Sequence, residues 1–184
     1  MTKQEFRKEK LALRNEIPLS QKQIFDKELT KRILSLPEYN NAKRVLLFAS
    51  VGSEVSTYEI LECARLNKNV YFPKCKDGEK MEFYRVNEQN ELKNGMYNIP
   101  EPTGNTQKYE NSNDNDLIIV PALAVGRDFS RLGYGKGYYD RFLKDFKGIS
   151  VCPVYPAFLF GSVPNEQFDI PLNIIITPNE IIRR

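Results

Sequence analysis

Leu117-Ile-Ile-Val-Pro-Ala-Leu-Ala-Val-Gly-Arg-Asp-Phe-Ser-Arg-Leu-Gly-Tyr-Gly-Lys-Gly-Tyr-Tyr-Asp-Arg-Phe-Leu143 changes its pattern twice. An apolar run, Leu117 to Val120, stops at Pro121, and a polar turn follows. Gly133, Gly135 and Gly137 then alternate, with Arg131 before them and Lys136 among them. Past Gly137 the spacing becomes helical, placing Tyr138, Tyr139, Phe142 and Leu143 on one side. A strand, a glycine loop and a helix start in succession can turn backbone N–H groups and a helix N-terminus toward an anion. Alternate glycines suit that role, because a Cβ would obstruct both positive φ and the close approach of a phosphate.

Working outward, Arg44 to Ser50 is a short, nearly continuous apolar run, the signature of a strand covered on both faces. Ser56 with Glu59 has the form of a capping box opening a helix to about Asn67. Asn69 to Pro73 reads as the next strand, completing a β-α-β unit. Upstream, residues 3 to 17 form a charged helix that Pro18 closes. Ser20 with Gln23 predicts a second capping box and a helix to about Leu36, with Ile24, Leu29, Ile33 and Leu34 inward and Pro37 as its stop. Downstream, Met81 to Val86 alternates as a strand after a turn at 76–79, and Asn87 to Lys93 is polar. Pro100 and Pro102 force an extended path, and residues 105–116 read as a polar, mobile loop. The helix after the glycines extends to about Phe146, and Ile149 to Val154 and Leu172 to Thr177 complete the strands. This alternation predicts one domain over residues 1–184, a three-layer α/β/α sandwich around a largely parallel sheet.

Composition narrows the chemistry. The 27 basic and 24 acidic residues give a net charge of +3, too balanced to argue for nucleic acid on electrostatics. The N-terminus is charged and no segment approaches a membrane span, so the expectation is a cytoplasmic protein without membrane contact. Cys63, Cys75 and Cys152 are too few and too widely spaced for a disulfide framework or a thiolate cluster. Their placement predicts buried free thiols. Histidine is absent, which excludes Ser-His-Asp and Cys-His nucleophile systems and histidine-ligated zinc. Chemistry must therefore run on Lys, Arg, carboxylates and Tyr, with or without a bound metal.

Taken alone, Gly-x-Gly-x-Gly matches neither the dinucleotide fingerprint nor the Walker pattern. It fits an anion cradle and a plain tight turn about equally. Arg131 and Lys136 stand where a polyphosphate needs neutralising charge. Asp140, in the first helical turn, suits either the helix dipole or Mg²⁺. The aromatic-and-glycine stretch lacks the alternation of an RNA-recognition strand and runs into a helix, against an RNA reading.

Arg131-Leu-Gly-Tyr-Gly-Lys-Gly-Tyr-Tyr-Asp140, after Val120-Pro-Ala-Leu-Ala124, resembles the signature of the 5-formyltetrahydrofolate cyclo-ligase family. Further matches follow in order across nearly the whole chain: Lys10-Leu-Ala-Leu-Arg14, Phe48-Ala-Ser-Val-Gly-Ser-Glu54-Val-Ser-Thr57, Ile99-Pro-Glu-Pro102, and Asp169-Ile-Pro-Leu-Asn173 with Thr177. The resemblance implies an ATP- and Mg²⁺-dependent closure of 5-formyltetrahydrofolate to 5,10-methenyltetrahydrofolate, on a fold related to the ribose-5-phosphate isomerase and CoA-transferase group. It implies that Lys10 and Arg14 contact ATP. Arg131, Leu132, Gly133, Tyr134, Gly135, Lys136, Gly137, Tyr138 and Tyr139 would form the nucleotide loop, with Arg131 and Lys136 catalytic and the stretch from Tyr134 to Tyr138 also facing folate.

By the same resemblance, Ala49 and Glu54 would hold the pterin end and Asp140 would ligate Mg²⁺. Asn173 stands where a second acidic ligand is frequent, which makes it a weak ligand and Asp169 a fallback. Phe168 replaces a frequent His. The implied partners are the two small molecules, with a monomer or weak dimer as the assembly. The alternative is another ATP-dependent small-molecule kinase or ligase sharing the glycine loop.

Overall fold

The computed structural model describes residues 2–76, 80–103 and 106–184. Its first helix, α1 (Lys3–Asn15), opens on a capping box that the sequence reading missed, with Thr2 Oγ1 accepting from Glu5 N–H and Glu5 returning to Thr2 N–H. The box expected at Ser20 does not form. Pro18 sets the entry with φ −58°, and α2 (Leu19–Leu34) starts one residue before Ser20. Pro37 begins α3 (Pro37–Asn41) instead of stopping α2, since proline's fixed φ and missing N–H cost nothing in a first turn. Of the residues expected inward on α2, Leu29 and Ile33 are fully buried and Leu34 half-buried, but Ile24 is 58% exposed.

Strand β1 (Arg44–Leu46) leads through buried Leu47, Phe48 and Ala49 to α4 (Tyr58–Ala64). Ser56 does not cap α4, which also ends before Asn67. Thr57 flanks its start, with a hydroxyl that instead donates to Phe48 O at 2.6 Å. Next come β2 (Asn69–Lys76), β3 (Lys80–Arg85), β4 (Leu92–Asn94) and β5 (Pro100–Pro102), the last two forming their own antiparallel pair. The predicted turn at 76–79 lies largely outside the described residues.

After β6 (Leu117–Ile119) the chain makes an unpredicted antiparallel hairpin, β7 (Ala124–Gly126) and β8 (Arg131–Leu132). The glycine loop therefore leaves β8, not the end of β6. It enters α5 (Tyr138–Leu143), six residues long and ending short of Phe146. β9 (Ile149–Pro153), β10 (Leu159–Phe160), β11 (Ile174–Ile176) and a further strand missed from sequence, β12 (Ile181–Arg183), complete the chain.

The result is a mixed α/β fold with a large, mostly parallel sheet. Seven strands run in the order β12-β11-β9-β6-β1-β2-β3, antiparallel only at the two edges. Leu117, Ile118, Ile119, Val151, Ile175 and Ile176 are 0% exposed, as strands covered on both faces require. The segment expected to be a mobile loop is tied down over residues 106–116. Tyr109 and Asp116 are buried, and Asp116 accepts from Tyr109 Oη at 2.5 Å and from Arg44 Nη2 at 2.7 Å. A buried carboxylate with such partners cannot leave them cheaply. Of the cysteines, Cys152 is buried as expected, whereas Cys63 and Cys75 are half-buried. Among the described residues, no helix is long and apolar enough to cross a membrane.

Candidate active site

A cleft of about 400 Å³ lies between the glycine loop, α1, the segment following β1, and the walls of β2, β3 and the 97–101 turn. It has an apolar slot of Phe48, Ala49, Pro73, Met81, Ile99 and Pro121, with Tyr97, Tyr134, Tyr138 and Tyr139 alongside. Cations reach it from Lys3, Arg7, Arg131 and Lys136, and carboxylates from Glu54, Glu101, Asp140, Glu166 and Asp169. A flat aromatic body with a charged end is the kind of ligand such a lining suits.

The loop itself is held from several sides. Gly135 and Gly137 have φ of +91° and +68°, conformations that only glycine takes readily. Arg7 Nε donates to Gly133 O at 3.0 Å, and a Cβ on Gly135 would lie 3.1 Å from the Arg7 guanidinium carbon. Arg131 is 5% exposed and gives Nη2 to both oxygens of Asp140 at 2.9 Å and Nη1 to Pro121 O at 3.1 Å. The Arg131 Nε is buried without a hydrogen-bond partner among the described residues. The N–H groups of Tyr134, Gly135, Lys136 and Gly137 likewise find no protein acceptor among the described residues. Lys136 is exposed, its ammonium 5.5 Å from the Tyr97 ring centre. Since α5 is so short, the loop's own N–H groups and cations carry any attraction for an anion.

Opposite the glycines, Glu54 is only 7% exposed. One of its oxygens accepts from Val51 N–H at 2.9 Å and the other from the Tyr134 hydroxyl. Arg14 Nη2 donates to that same hydroxyl at 2.6 Å, while Nε reaches Ser53 Oγ and Nη1 reaches Ala122 O, both at 3.1 Å. Burial of its hydroxyl end, and then Glu54, push the Tyr134 phenol well above its ordinary range, although much of its ring faces the cleft. Tyr138 is raised to about 12, first by hydrogen bonding to Tyr97. On the far wall Glu101 Oε1 accepts from Cys75 N–H at 3.0 Å, and burial, then Glu101, raise the Cys75 thiol.

Most of the residues expected at a site come together here: Ala49, Glu54, Arg131, Gly133, Tyr134, Gly135, Lys136, Gly137, Tyr138, Tyr139 and Asp140 all line the cleft. Leu132 does not, since its side chain is 0% exposed in the core. Lys10 and Arg14 stand behind the wall, and the Lys10 ammonium lies over Phe6 and Phe160 at 4.7 and 4.9 Å and against Glu9 at 2.8 Å. Asn173 is a correction. Its Oδ1 accepts from Ser150 N–H and Ser150 Oγ at 2.9 and 2.8 Å, tying it to β9 off the cleft wall. Asp169 does line the cleft, in an ion pair with Lys3 at 2.7 Å.

Lys3 and Arg7 were missed, although positions 3, 7, 10 and 14 share one face of a helix and a positive stripe was there to be read. Cys75, Tyr97 and Glu101 reach the site through tertiary packing and carried no sequence signal beyond the Pro-Glu-Pro element. No group of three or more His, Cys, Asp or Glu side chains among the described residues could enclose a metal ion.

The sequence profile of the 5-formyltetrahydrofolate cyclo-ligase family matches residues 1–178. The chain is 31% identical to the probable 5-formyltetrahydrofolate cyclo-ligase of Schizosaccharomyces pombe, over 84% of each chain. It is 30% identical to the 5-formyltetrahydrofolate cyclo-ligase of Haemophilus influenzae, over 92% of this chain and 94% of that one. Among solved structures, the Aquifex aeolicus 5,10-methenyltetrahydrofolate synthetase superposes with a TM-score of 0.88 at 30% identity, covering 100% of this chain and 93% of that one. The fold, the cleft and these likenesses lead to one conclusion: the chain is an enzyme that belongs to the 5-formyltetrahydrofolate cyclo-ligase family.

Proposed function

We propose that the enzyme converts 5-formyltetrahydrofolate to 5,10-methenyltetrahydrofolate, coupled to conversion of ATP to ADP and phosphate. One observation carries the reading: the glycine loop brings cations, and N–H groups unpaired among the described residues, to a cleft whose lining also holds an apolar set of side chains and Glu54. A triphosphate fits the first group and a pterin the second.

The formyl oxygen attacks the γ-phosphorus and ADP leaves, giving a phosphorylated imidate. The N10 lone pair then attacks the formyl carbon, the C–O bond to phosphate breaks, and N10 gives up its proton. No protein nucleophile is needed, so a histidine-free site is adequate. Catalysis then depends on placement and charge. Lys136 is set to neutralise charge developing on the transferred group, and the loop N–H groups to cradle it. Arg131 fixes the loop's ends, and its Nε has no partner among the described residues. Glu54 accepts donors from the pterin edge.

The residues fit Mg²⁺ only as an ion that arrives on the nucleotide. Asp140 and Asp169 each offer a cleft carboxylate, and Mg²⁺ commonly needs one or two of these beside phosphate and water. When bound, the ion would supply charge neutralisation for the phosphates. We also propose kinship of the scaffold with the ribose-5-phosphate isomerase and CoA-transferase group, as the family resemblance implies, and a single domain and a cytoplasmic site of action, from the sequence pattern.

Methenyltetrahydrofolate absorbs in the near ultraviolet and the formyl substrate does not. Purified protein should generate that absorbance only with ATP and Mg²⁺ both present. ADP release without it, on another acceptor, would instead select a different small-molecule kinase or ligase.

A further inference from the structure

Tyr134 is bonded at once to the residue assigned to folate and to an arginine of α1. Its hydroxyl donates to Glu54 and accepts from Arg14 at 2.6 Å. Both neighbours are buried, Glu54 at 7% and Arg14 at 5% exposure. Tyr134 itself is 45% exposed and lies between Gly133 and Gly135, the latter with φ +91°. A side chain mounted between glycines can swing, whereas its two partners, on packed segments, cannot.

A pterin edge presents two parallel donors, and two-pronged recognition by a carboxylate uses both of its oxygens. Val51 N–H and the Tyr134 hydroxyl already hold one oxygen each. Val51 N–H belongs to the backbone turn that carries Glu54 and stays with it. Of the two partners, the Tyr134 hydroxyl, on a side chain that lines the cleft, is the one that can give way. When it does, Arg14 Nη2 loses its acceptor, and a buried guanidinium donor left unpaired costs free energy until another acceptor arrives. Tyr134 and the three loop residues after it are those whose N–H groups are unpaired among the described residues.

We infer that Tyr134 is a positioning residue coupling the two ligands of this enzyme: folate at Glu54 releases it, and that release readies Arg14 and the glycine loop for the nucleotide. This builds on the folate and ATP reading above. Each ligand then tightens binding of the other by the same factor, as linkage demands. Arg14 acts through this exchange, which explains why it stands behind the wall and not in it.

The test is calorimetric titration of the full chain with β,γ-methylene-ATP and Mg²⁺, with and without saturating 5-formyltetrahydrofolate. Folate should lower the Kd for the analogue about fivefold or more. Tyr134→Phe, already released, should bind the analogue without folate as tightly as the wild type does with it, so its ratio falls to about one. A wild-type ratio of one, or a Phe variant that keeps the wild-type ratio, overturns the coupling. Failure of folate to bind at all sinks the folate reading and the coupling with it, whereas folate binding without effect on the nucleotide sinks the coupling alone.

Discussion

Arg131 and Asp140, nine residues apart, close the base of the glycine loop with a forked ion pair, one Nη2 to both carboxylate oxygens at 2.9 Å. Asp140 Oδ1 also accepts from Ile170 N–H at 3.3 Å, so the pair fastens the loop to the segment before β11. Arg131 is thus a structural clamp on the loop as much as a charge within the cleft. Arg131→Ala leaves a partly buried carboxylate without its partner, which costs about 3 kcal/mol. For a chain of this size that lowers Tm by roughly 6–12 °C. Scanning calorimetry reads this directly, and a shift below about 2 °C would mean that the clamp bears no load. Asp140→Asn keeps an oxygen for the guanidinium and should lose less stability.

Lys136 offers the contrast. Its side chain is exposed and its contact is the Tyr97 ring at 5.5 Å, so packing hardly depends on it. Lys136→Ala should reduce kcat by about 10²–10³ while Tm moves little. Steady-state kinetics beside calorimetry check both halves. Near-normal turnover with ATP would remove Lys136 from the chemistry.

How far this site could be read in advance depended on the range of the forces involved. Leu117–Ile119 and Ile174–Ile176 announce buried strands because hydrophobic runs are local signals, and the glycines announce a loop because positive φ is a property of single residues. The short hairpin β7–β8 escaped because strands of three and two residues are too brief to show alternation. Ser20 and Ser56 carried the right residue types for caps, yet Pro18 and the buried Thr57 hydroxyl decided where those helices begin. Lys10 and Arg14 were legible as part of a charged face, but that Lys3 and Arg7 are the members reaching the cleft depends on how α1 docks. Asn173 turned inward because Ser150, on a neighbouring strand, supplies its donors.

The alkaline limit of stability should be set first by Cys152. It is 0% exposed, and burial raises its thiol from 9.0 to about 12. The folded value lies above the unfolded one, so the thiol's stabilising contribution is complete below pH 9 and is lost as pH climbs from 9 toward 12. The loss from this thiol is about 1 kcal/mol between pH 9 and 10, and each strongly raised tyrosine, with its ordinary value of 10.0, adds about 0.3 kcal/mol over the same interval. Urea unfolding at these two pH values should show that slope in the wild type and a shallower one in Cys152→Ala. Equal slopes would assign the alkaline loss to other groups, with Cys75 the next to examine.

Arg7 and Lys10 of α1 divide their work differently from what the family resemblance implies. Arg7 donates to Gly133 O at 3.0 Å and lines the cleft, whereas the Lys10 ammonium sits over two aromatic rings behind it. Losing Arg7 removes a charge-assisted bond to the loop, worth about 1.5 kcal/mol, and with it a cation facing the cleft. Arg7→Ala should therefore raise the KM for ATP about tenfold. Lys10→Ala should change that KM less than about threefold and instead cost stability of about 1 kcal/mol, from a lost cation–π contact and lost stem packing. Measuring KM and Tm for both variants decides between the arrangements. If Lys10→Ala has the larger effect on KM, the Lys10 ammonium leaves its rings when nucleotide binds, and the nucleotide contact belongs to Lys10.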